Sequence, residues 1–600
     1  MKKVTLAPMA NKKFCYFMMV CCVALLAACN PPTPEPDPDP DPDPKDTTEQ
    51  YVPKTEWELA DSLYTAADYT VPSHTIFKLA QTKCAGDPSE ANLAAMREKI
   101  KELKPKTEPY CMVATINGDP KTRMGFCWFT NDGITDGVVQ LVAKADATEA
   151  DFTSGNVITV QASAKKTKKL RYTGICQYIV AFSGLPKNLK YEYISHKAIA
   201  TGLQAGTDYC WRVGYDDAEG NGHWSDIAHF RTEDENQGEY SFLYMSDSHI
   251  MNPEYVNNAR RCANAAVKNF PDARFCVFPG DFVEDGTIAN SEWEWERWFE
   301  ESLRPVIMQM PIVPTDGNHD DSDNLNYTVH FNTDNGFNET ITRKPQFEGI
   351  VYNFVYGDVL FLVFSMQDFW REDYDYVEKT STYLTDHVSY WFRKTVTENP
   401  DTKYRVSLAH FNLFSGSDHS TDEEPPLFRA CMLPTMKACE IDVALQGHDH
   451  TYEVIGPVNP DNCTPILDAI TDREEVAIDD NKNRTGYKNG TYRTDDGTLY
   501  FIGATCGRKR YYPHSRERME RDYEPDPAKL AKGKHNVENY FDLFTGMFGQ
   551  PEKPSFTKIT VKDDCLEFNS YTADDVDGNI TLFNTMKVVR TKPHTVPAAN

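Results

Sequence analysis

Short apolar runs rich in β-branched and aromatic residues recur through the second half of the chain, each cut off by a polar block. Phe242-Leu243-Tyr244 leads to Asp247-Ser248-His249, and Phe275-Cys276-Val277-Phe278 leads to Gly280-Asp281. Ile312-Val313 precedes Gly317-Asn318-His319-Asp320, Tyr404–Leu408 precedes Ala409-His410, and Val443-Ala444-Leu445 precedes Gly447-His448-Asp449-His450. Between them lie stretches with helical spacing, at 253–270 (capped by Asn252, with Pro253 first) and 381–398. A continuous apolar strand is predicted at 359–364, and late β runs at 556–561 and 582–589 should close the sheet. The tryptophans of 291–303 (Trp293, Trp295, Trp298) read as packing residues. Strands alternating with helices predict a layered α/β domain, and in such sheets ligands collect beyond the carboxyl ends of the strands. Polar insertions near 321–349 and 456–497 interrupt the pattern, and loops of that length are usually functional or mobile.

The pattern before residue 236 is different. Short runs at 113–115, 125–129, 138–142, 157–160 and 209–213, separated by turn signals, predict an all-β sandwich. Ala91 to Leu103 has an amphipathic helical stripe through Leu93, Met96, Ile100 and Leu103. Ahead of that, 31–45 is largely a Pro-Asp repeat, extended by proline and self-repelling through its aspartates. The chain opens with Lys2, Lys3, Lys12 and Lys13, then an apolar run at 14–26 too short to span a bilayer as a mature helix. That leader ends in Leu26-Ala27-Ala28-Cys29, which resembles the lipobox of bacterial lipoproteins. The resemblance implies an acylated Cys29 as mature N-terminus, an exported protein and a membrane held by the lipid. Asn30 stands where an Asp would retain some lipoproteins at the inner membrane, so the outer membrane is expected. The predicted division is therefore a leader at 1–29, a Pro/Asp-rich linker at 30–50, a partly helical segment at 51–107, a sandwich at 108–235 and the α/β domain at 236–600.

Composition narrows the partners. A formal net charge of −28 argues against a nucleic-acid backbone. A small anionic substrate stays compatible with it, because metal ions make their own local positive field. Of the 16 cysteines, Cys15, Cys21, Cys22 and Cys29 belong to the leader, and the others form no CxxC pair, which argues against a thiolate zinc site. An exported chain could pair some of them, for example among Cys111, Cys127, Cys176 and Cys210, whereas Cys276 reads as a small buried hydrophobe.

The five blocks carry the oxygen and nitrogen donors that two neighbouring cations need, including a carboxylate able to bridge them. Two cations roughly 3.5–4 Å apart lower the pKa of a shared water and clamp phosphoryl oxygens. In their order, D-x-H, G-D, G-N-H-D, a lone His and G-H-x-H, the blocks resemble those of the calcineurin-like metallophosphoesterases. The turn and closing strand within 196–232 resemble the fibronectin-III-like N-terminal domain of the purple acid phosphatases. The resemblance implies an α/β/β/α metallophosphoesterase sandwich behind an all-β fibronectin-III-like domain. It implies a first metal held by Asp247, His249 and His450, a second by Asn318, His410 and His448, and a bridging Asp281. It makes His319 the catalytic histidine, with Glu284 as the acid that orients it.

Two departures from the purple acid phosphatases bear on the metal. His249 stands where that family has glycine, and Glu284 where it has the tyrosine that ligates ferric iron, so the tyrosinate colour should be absent. Mn, Fe and Zn all remain open for the two divalent or trivalent ions. The implied activity is hydrolysis of small phosphate monoesters by metal-bound hydroxide, acid-phosphatase-like. The alternatives are a phosphodiesterase or nucleotide-hydrolysing enzyme of the same fold, or an inactive surface binding protein. Arg508, with Lys509 and Arg510, is a candidate to steer phosphate. His330, His387, His419 and His514 lack block context and read as structural or exposed. Oligomeric state is not encoded legibly.

Overall fold

Strand periodicity decides how the layers meet. In Tyr240–Tyr244, Tyr240, Phe242 and Tyr244 face one core while Leu243 faces another. In Val359–Val363 the odd residues face the first core and Leu360 and Leu362 the second. This alternation lets two sheets share one apolar layer, built of Phe242, Val277, Phe361, Val406, Leu445 and Phe501, and turn their other faces to helices. The computed structural model describes residues 108–597 except 132, 167–169, 173–188, 192, 252, 285–291, 321–324, 335–348, 367–375, 423, 480–482 and 523–538. The leader with Cys29, the linker, the segment 51–107 with its helical stripe, and the cap Asn252 lie outside the described residues. No helix among the described residues is long and apolar enough to cross a membrane.

In the first sheet Tyr240–Tyr244, Cys276–Pro279 and Ile312–Thr315 run parallel, with Leu243 opposite Cys276 and Cys276 opposite Ile312. The helix Pro253–Asn269 crosses between the first two. In the second sheet Val359–Val363, Tyr404–Leu408, Val443–Gln446 and Thr498–Gly503 are likewise parallel. The late strands do close the first sheet: Ser555–Val561 pairs antiparallel with Tyr240–Tyr244, and Leu566–Ala573 and Ile580–Val589 follow. This is the layered α/β arrangement that the apolar pattern predicts, with an all-β sandwich ahead of it.

In that sandwich, Phe126 and Trp128 of Arg123–Asn131 pack against Val139, Leu141, Trp211 and Val213 of a smaller five-stranded sheet. The larger layer does not stop at the expected boundary near 235. Tyr110–Thr115 pairs parallel with Ile312–Thr315 through Thr115 and Ile312, so one twelve-stranded sheet runs through both halves. Asn332 pins the join. Its side-chain amide donates to Phe126 O (3.1 Å) and Ala198 O (2.8 Å), and its carbonyl accepts from Thr115 Oγ1 (2.6 Å) and Asn117 Nδ2 (2.9 Å).

Two expectations need correction. The insertion near 456–497 is not an open loop: Ile470–Glu475 and Tyr487–Arg493 form a hairpin, and the latter pairs parallel with Ile580–Val589 to extend the first sheet. Its alternating residues are polar because one face of an edge ribbon is exposed. The proposed disulfide set fails at Cys127 and Cys210, which are buried thiols; Cys127 Sγ donates to Val329 O (3.2 Å) and Cys210 Sγ accepts from Ala147 N (3.4 Å). Cys176 lies outside the described residues. Cys276 is buried, as its apolar strand predicts.

Candidate metal centre

The polar blocks follow directly on parallel strands, so the twist of two facing sheets brings their carboxyl ends together. Backbone bonds fasten them: Asp247 N donates to Gly280 O (3.2 Å), His249 N to Asp281 O (3.1 Å) and Gly447 N to His410 O (2.9 Å). Asp247 (φ 58°), His249 (φ 45°), Asp281 (φ 52°) and His448 (φ 70°) occupy left-handed backbone, which few non-glycine residues adopt. Such a concentration of strained residues at one place belongs to functional sites. Gly317 permits the closest approach: a Cβ there would lie 2.2 Å from Asp281 Oδ1 and 2.3 Å from Asp281 N. Asp320 ties the same turns, its carboxylate accepting from Gly317 N (2.7 Å), Asp281 N (2.9 Å) and Phe282 N (2.7 Å).

Donor atoms of Asp247, His249, Asp281 and His450 converge in one buried group, and those of Asp281, His410 and His448 in a second. Asp281 belongs to both. Its Oδ2 lies 3.2 Å from His249 Nε2 and 3.2 Å from His410 Nε2. Asn318 joins the second group with Oδ1 3.0 Å from His410 Nε2. His450 Nε2 is 3.0 Å from His249 Nε2 and 3.4 Å from Asp247 Oδ1.

Hydrogen bonding on the far side of each ring shows what this arrangement requires. His410 Nδ1 donates to Pro279 O (2.7 Å), which leaves Nε2 as a lone pair aimed among Asn318 Oδ1 and Asp281 Oδ2. His249 Nδ1 donates to Glu284 Oε2 (2.6 Å), which leaves its Nε2 facing His450 Nε2 and Asp281 Oδ2. Lone pairs that converge in a buried place need a cation between them. Asp247 Oδ2 adds to the demand, being buried with no hydrogen-bond partner among the described residues. The buried His/Asp cluster therefore fits a dinuclear metal centre.

Titration tells the same story. Burial pushes the Asp281 carboxyl up, but His410, His319 and His249 together outweigh it and hold it well below its usual range. Burial disfavours charge on His249 and His410 too, yet Asp281 wins and raises them to about 9 and about 10. Burial dominates at His450, lowered to about 4, and at His448, held well below its usual value.

His319 is half-buried at the edge of this cluster; its N–H donates to Asp281 Oδ1 (3.0 Å) and its Nδ1 to the Glu284 carbonyl (2.7 Å). Glu284 thus departs from the sequence expectation. Its backbone, not its carboxylate, orients His319, and the carboxylate orients His249. Glu294, fully buried on the neighbouring helix, accepts from Glu284 N (2.9 Å). Arg508 Nε donates to Glu254 Oε1 (2.6 Å) at the start of the helix Pro253–Asn269. The middle residue of that basic triplet, Lys509, reaches Glu284, with Nζ 3.5 Å from Oε1.

Sequence reasoning missed other neighbours. His419, read as structural or exposed, stacks on His448 with ring centroids 4.0 Å apart, and Asp422 Oδ2 lies 2.9 Å from its Nδ1. Only the spacing of His419 and Asp422 hinted at this. Tyr511 stacks on His450 at 4.4 Å with planes 5° apart. His330 is structural as expected, stacked on Trp295 at 4.3 Å, and His514 is buried.

Residues 109–232 match the family described as purple acid phosphatase, N-terminal domain, and residues 240–452 match the calcineurin-like phosphoesterase family. No curated protein is a significant match. Among solved structures, a purple acid phosphatase from yellow lupin (Lupinus luteus) seeds is similar at 14% identity, covering 81% of this chain and 75% of its own, with a TM-score of 0.53. A structure of PhoD is similar at 10% identity over 82% of this chain and 94% of its own, with a TM-score of 0.45. The lupin likeness is one of fold.

Proposed function

The chain is a metallophosphoesterase, a calcineurin-like phosphoesterase domain behind a purple acid phosphatase N-terminal domain, and from that premise we propose that it hydrolyses small phosphate monoesters at the Asp281 cluster. One observation carries the reading: a single carboxylate oxygen of Asp281 lies 3.2 Å from an imidazole nitrogen of each donor group. Asp247, His249 and His450 would hold one ion, Asn318, His410 and His448 the other, and Asp281 both. Bound there, such a pair supplies activated water and neutralises charge on the phosphoryl group.

The chain's own residues supply the rest. Pro279 O and the Glu284 carboxylate lock the tautomers of His410 and His249, so that each presents Nε2 to its ion. His319 donates a hydrogen bond from its Nδ1–H to the Glu284 carbonyl, which leaves Nε2 as the atom that handles a proton or a hydrogen bond at the ester oxygen. The N-terminal domain's family match supports the monoester reading over a diester one. Turnover of p-nitrophenyl phosphate against bis(p-nitrophenyl) phosphate, with metal analysis of the purified protein begun after Cys29, tests it. Monoester turnover with close to two ions per chain is expected; faster diester turnover sinks the monoester reading.

The leader supports export and lipid attachment at Cys29, with the phosphoesterase held off the outer membrane by the Pro/Asp linker. Metabolic labelling with palmitate that is undiminished in Cys29→Ala would rule this out.

A further inference from the structure

We infer that Lys509 is the specificity-determining residue of this site, its ammonium receiving the third terminal oxygen of a phosphate monoester. The inference rests on the phosphoesterase reading and goes beyond it to the charge class of substrate.

Position comes first. Lys509 Nζ lies 3.5 Å from Glu284 Oε1, while the other oxygen of that carboxylate holds His249 and the carbonyl of the same residue holds His319. The ammonium therefore sits at the corner where an outer-shell acid, a metal-facing imidazole and the half-buried histidine meet. A quarter of the Lys509 side chain is exposed, so it opens to solvent while part of its charge is shielded.

The segment is also built to hold the lysine still. Tyr511 stacks on His450, and its carbonyl accepts from Gln550 Nε2 (2.6 Å) and Thr451 Oγ1 (3.2 Å). At the other end Gly507 packs so closely that a Cβ would stand 2.5 Å from Ser248 O. Lys509 is thus held between two anchors on the turns of the metal centre.

Charge and valence supply the selectivity. A separation of 3.5 Å is longer than the roughly 2.7–2.9 Å of a tight charge-assisted bond, and an ammonium has three N–H donors, so the Glu284 contact leaves capacity for an anion. A monoester presents three terminal oxygens and two charges; metal ions held by the two donor groups would neutralise part of that charge, and an oxygen turned from them needs a donor from the protein. A diester has an alkoxy group in that place, which an ammonium cannot usefully pair.

The test compares wild type, Lys509→Met and Lys509→Arg on p-nitrophenyl phosphate and bis(p-nitrophenyl) phosphate, with calorimetric binding of inorganic phosphate to the metal-loaded proteins. Lys509→Met should lower kcat/KM for the monoester by about 10- to 100-fold and weaken phosphate binding by a similar factor, as for a lost hydrogen bond to a charged group. The diester rate should change by less than about threefold, and Lys509→Arg should restore most of the monoester rate. Equal losses on both esters, or no change in phosphate binding, would overturn the assignment while leaving the phosphoesterase reading intact. A metal-loaded wild type inactive on both esters would remove that reading, and this assignment with it.

Discussion

Glu284 and His249 are joined by a 2.6 Å hydrogen bond from imidazole Nδ1 to carboxylate Oε2, three residues beyond Asp281, which belongs to both donor groups. The carboxylate of Glu284, at the position where the resemblance implies an iron-binding tyrosine, thus orients the ring of His249. Glu284→Ala should weaken the ion beside His249 by about 10- to 100-fold, and Glu284→Gln, which keeps an acceptor, by less. Equilibrium dialysis with metal analysis reads this directly. Wild type loaded with ferric iron should show no tyrosinate absorption band in the visible.

Because Asp281 serves both donor groups, Asp281→Ala should bind neither ion tightly, whereas His448→Ala should keep close to one. Both should lose hydrolysis by more than the roughly 10- to 100-fold that follows loss of an outer-shell partner. Two ions retained by Asp281→Ala would refute the shared-carboxylate geometry.

Gly317→Ala places a methyl 2.2 Å from Asp281 Oδ1. The obstacle is a buried carboxylate that also accepts the His319 N–H, so it has little room to give. The variant should fold with a loss of about 1–3 kcal/mol, the usual range for overpacking, and with impaired metal binding. Denaturation with and without chelator separates the two effects; a variant with normal metal content would count against the tight turn.

Glu233 lies near the junction of the two halves, accepting from Gly357 N (2.9 Å) with Lys121 Nζ 3.9 Å away. Burial raises its carboxyl from 4.5 to about 7. Between those values the folded chain keeps a proton that the unfolded chain has released. Stability from this group is therefore whole below pH 4.5 and is lost as pH rises through about 7. Glu233→Gln keeps an acceptor for Gly357 without a charge. It should match wild type in Tm near pH 5 and exceed it at pH 8; calorimetry showing the same gap at both values would dismiss the titration.

The donor blocks were legible in the chain because each is local. An alternating apolar run makes a strand, and a glycine or acidic residue ends it, so a histidine or aspartate just beyond lands at a carboxyl end. The sandwich ahead of the α/β domain was legible for the same reason, from period and turn chemistry alone. What escaped was every relation set by packing between distant turns. Nothing near residue 284 says that its carboxylate meets His249 and only its carbonyl meets His319; that follows from left-handed backbone at Asp247, His249 and Asp281. The pairing of Arg508 with Glu254 and of Lys509 with Glu284, and the place of His419 on the ring of His448, are each set by the fold. Thr115 against Ile312 joins two halves that composition divides. Periodicity and turn residues act over a few positions and can be read in line. Which side chain faces which depends on backbone dihedrals and close packing summed over the whole molecule, and only the folded chain decides it.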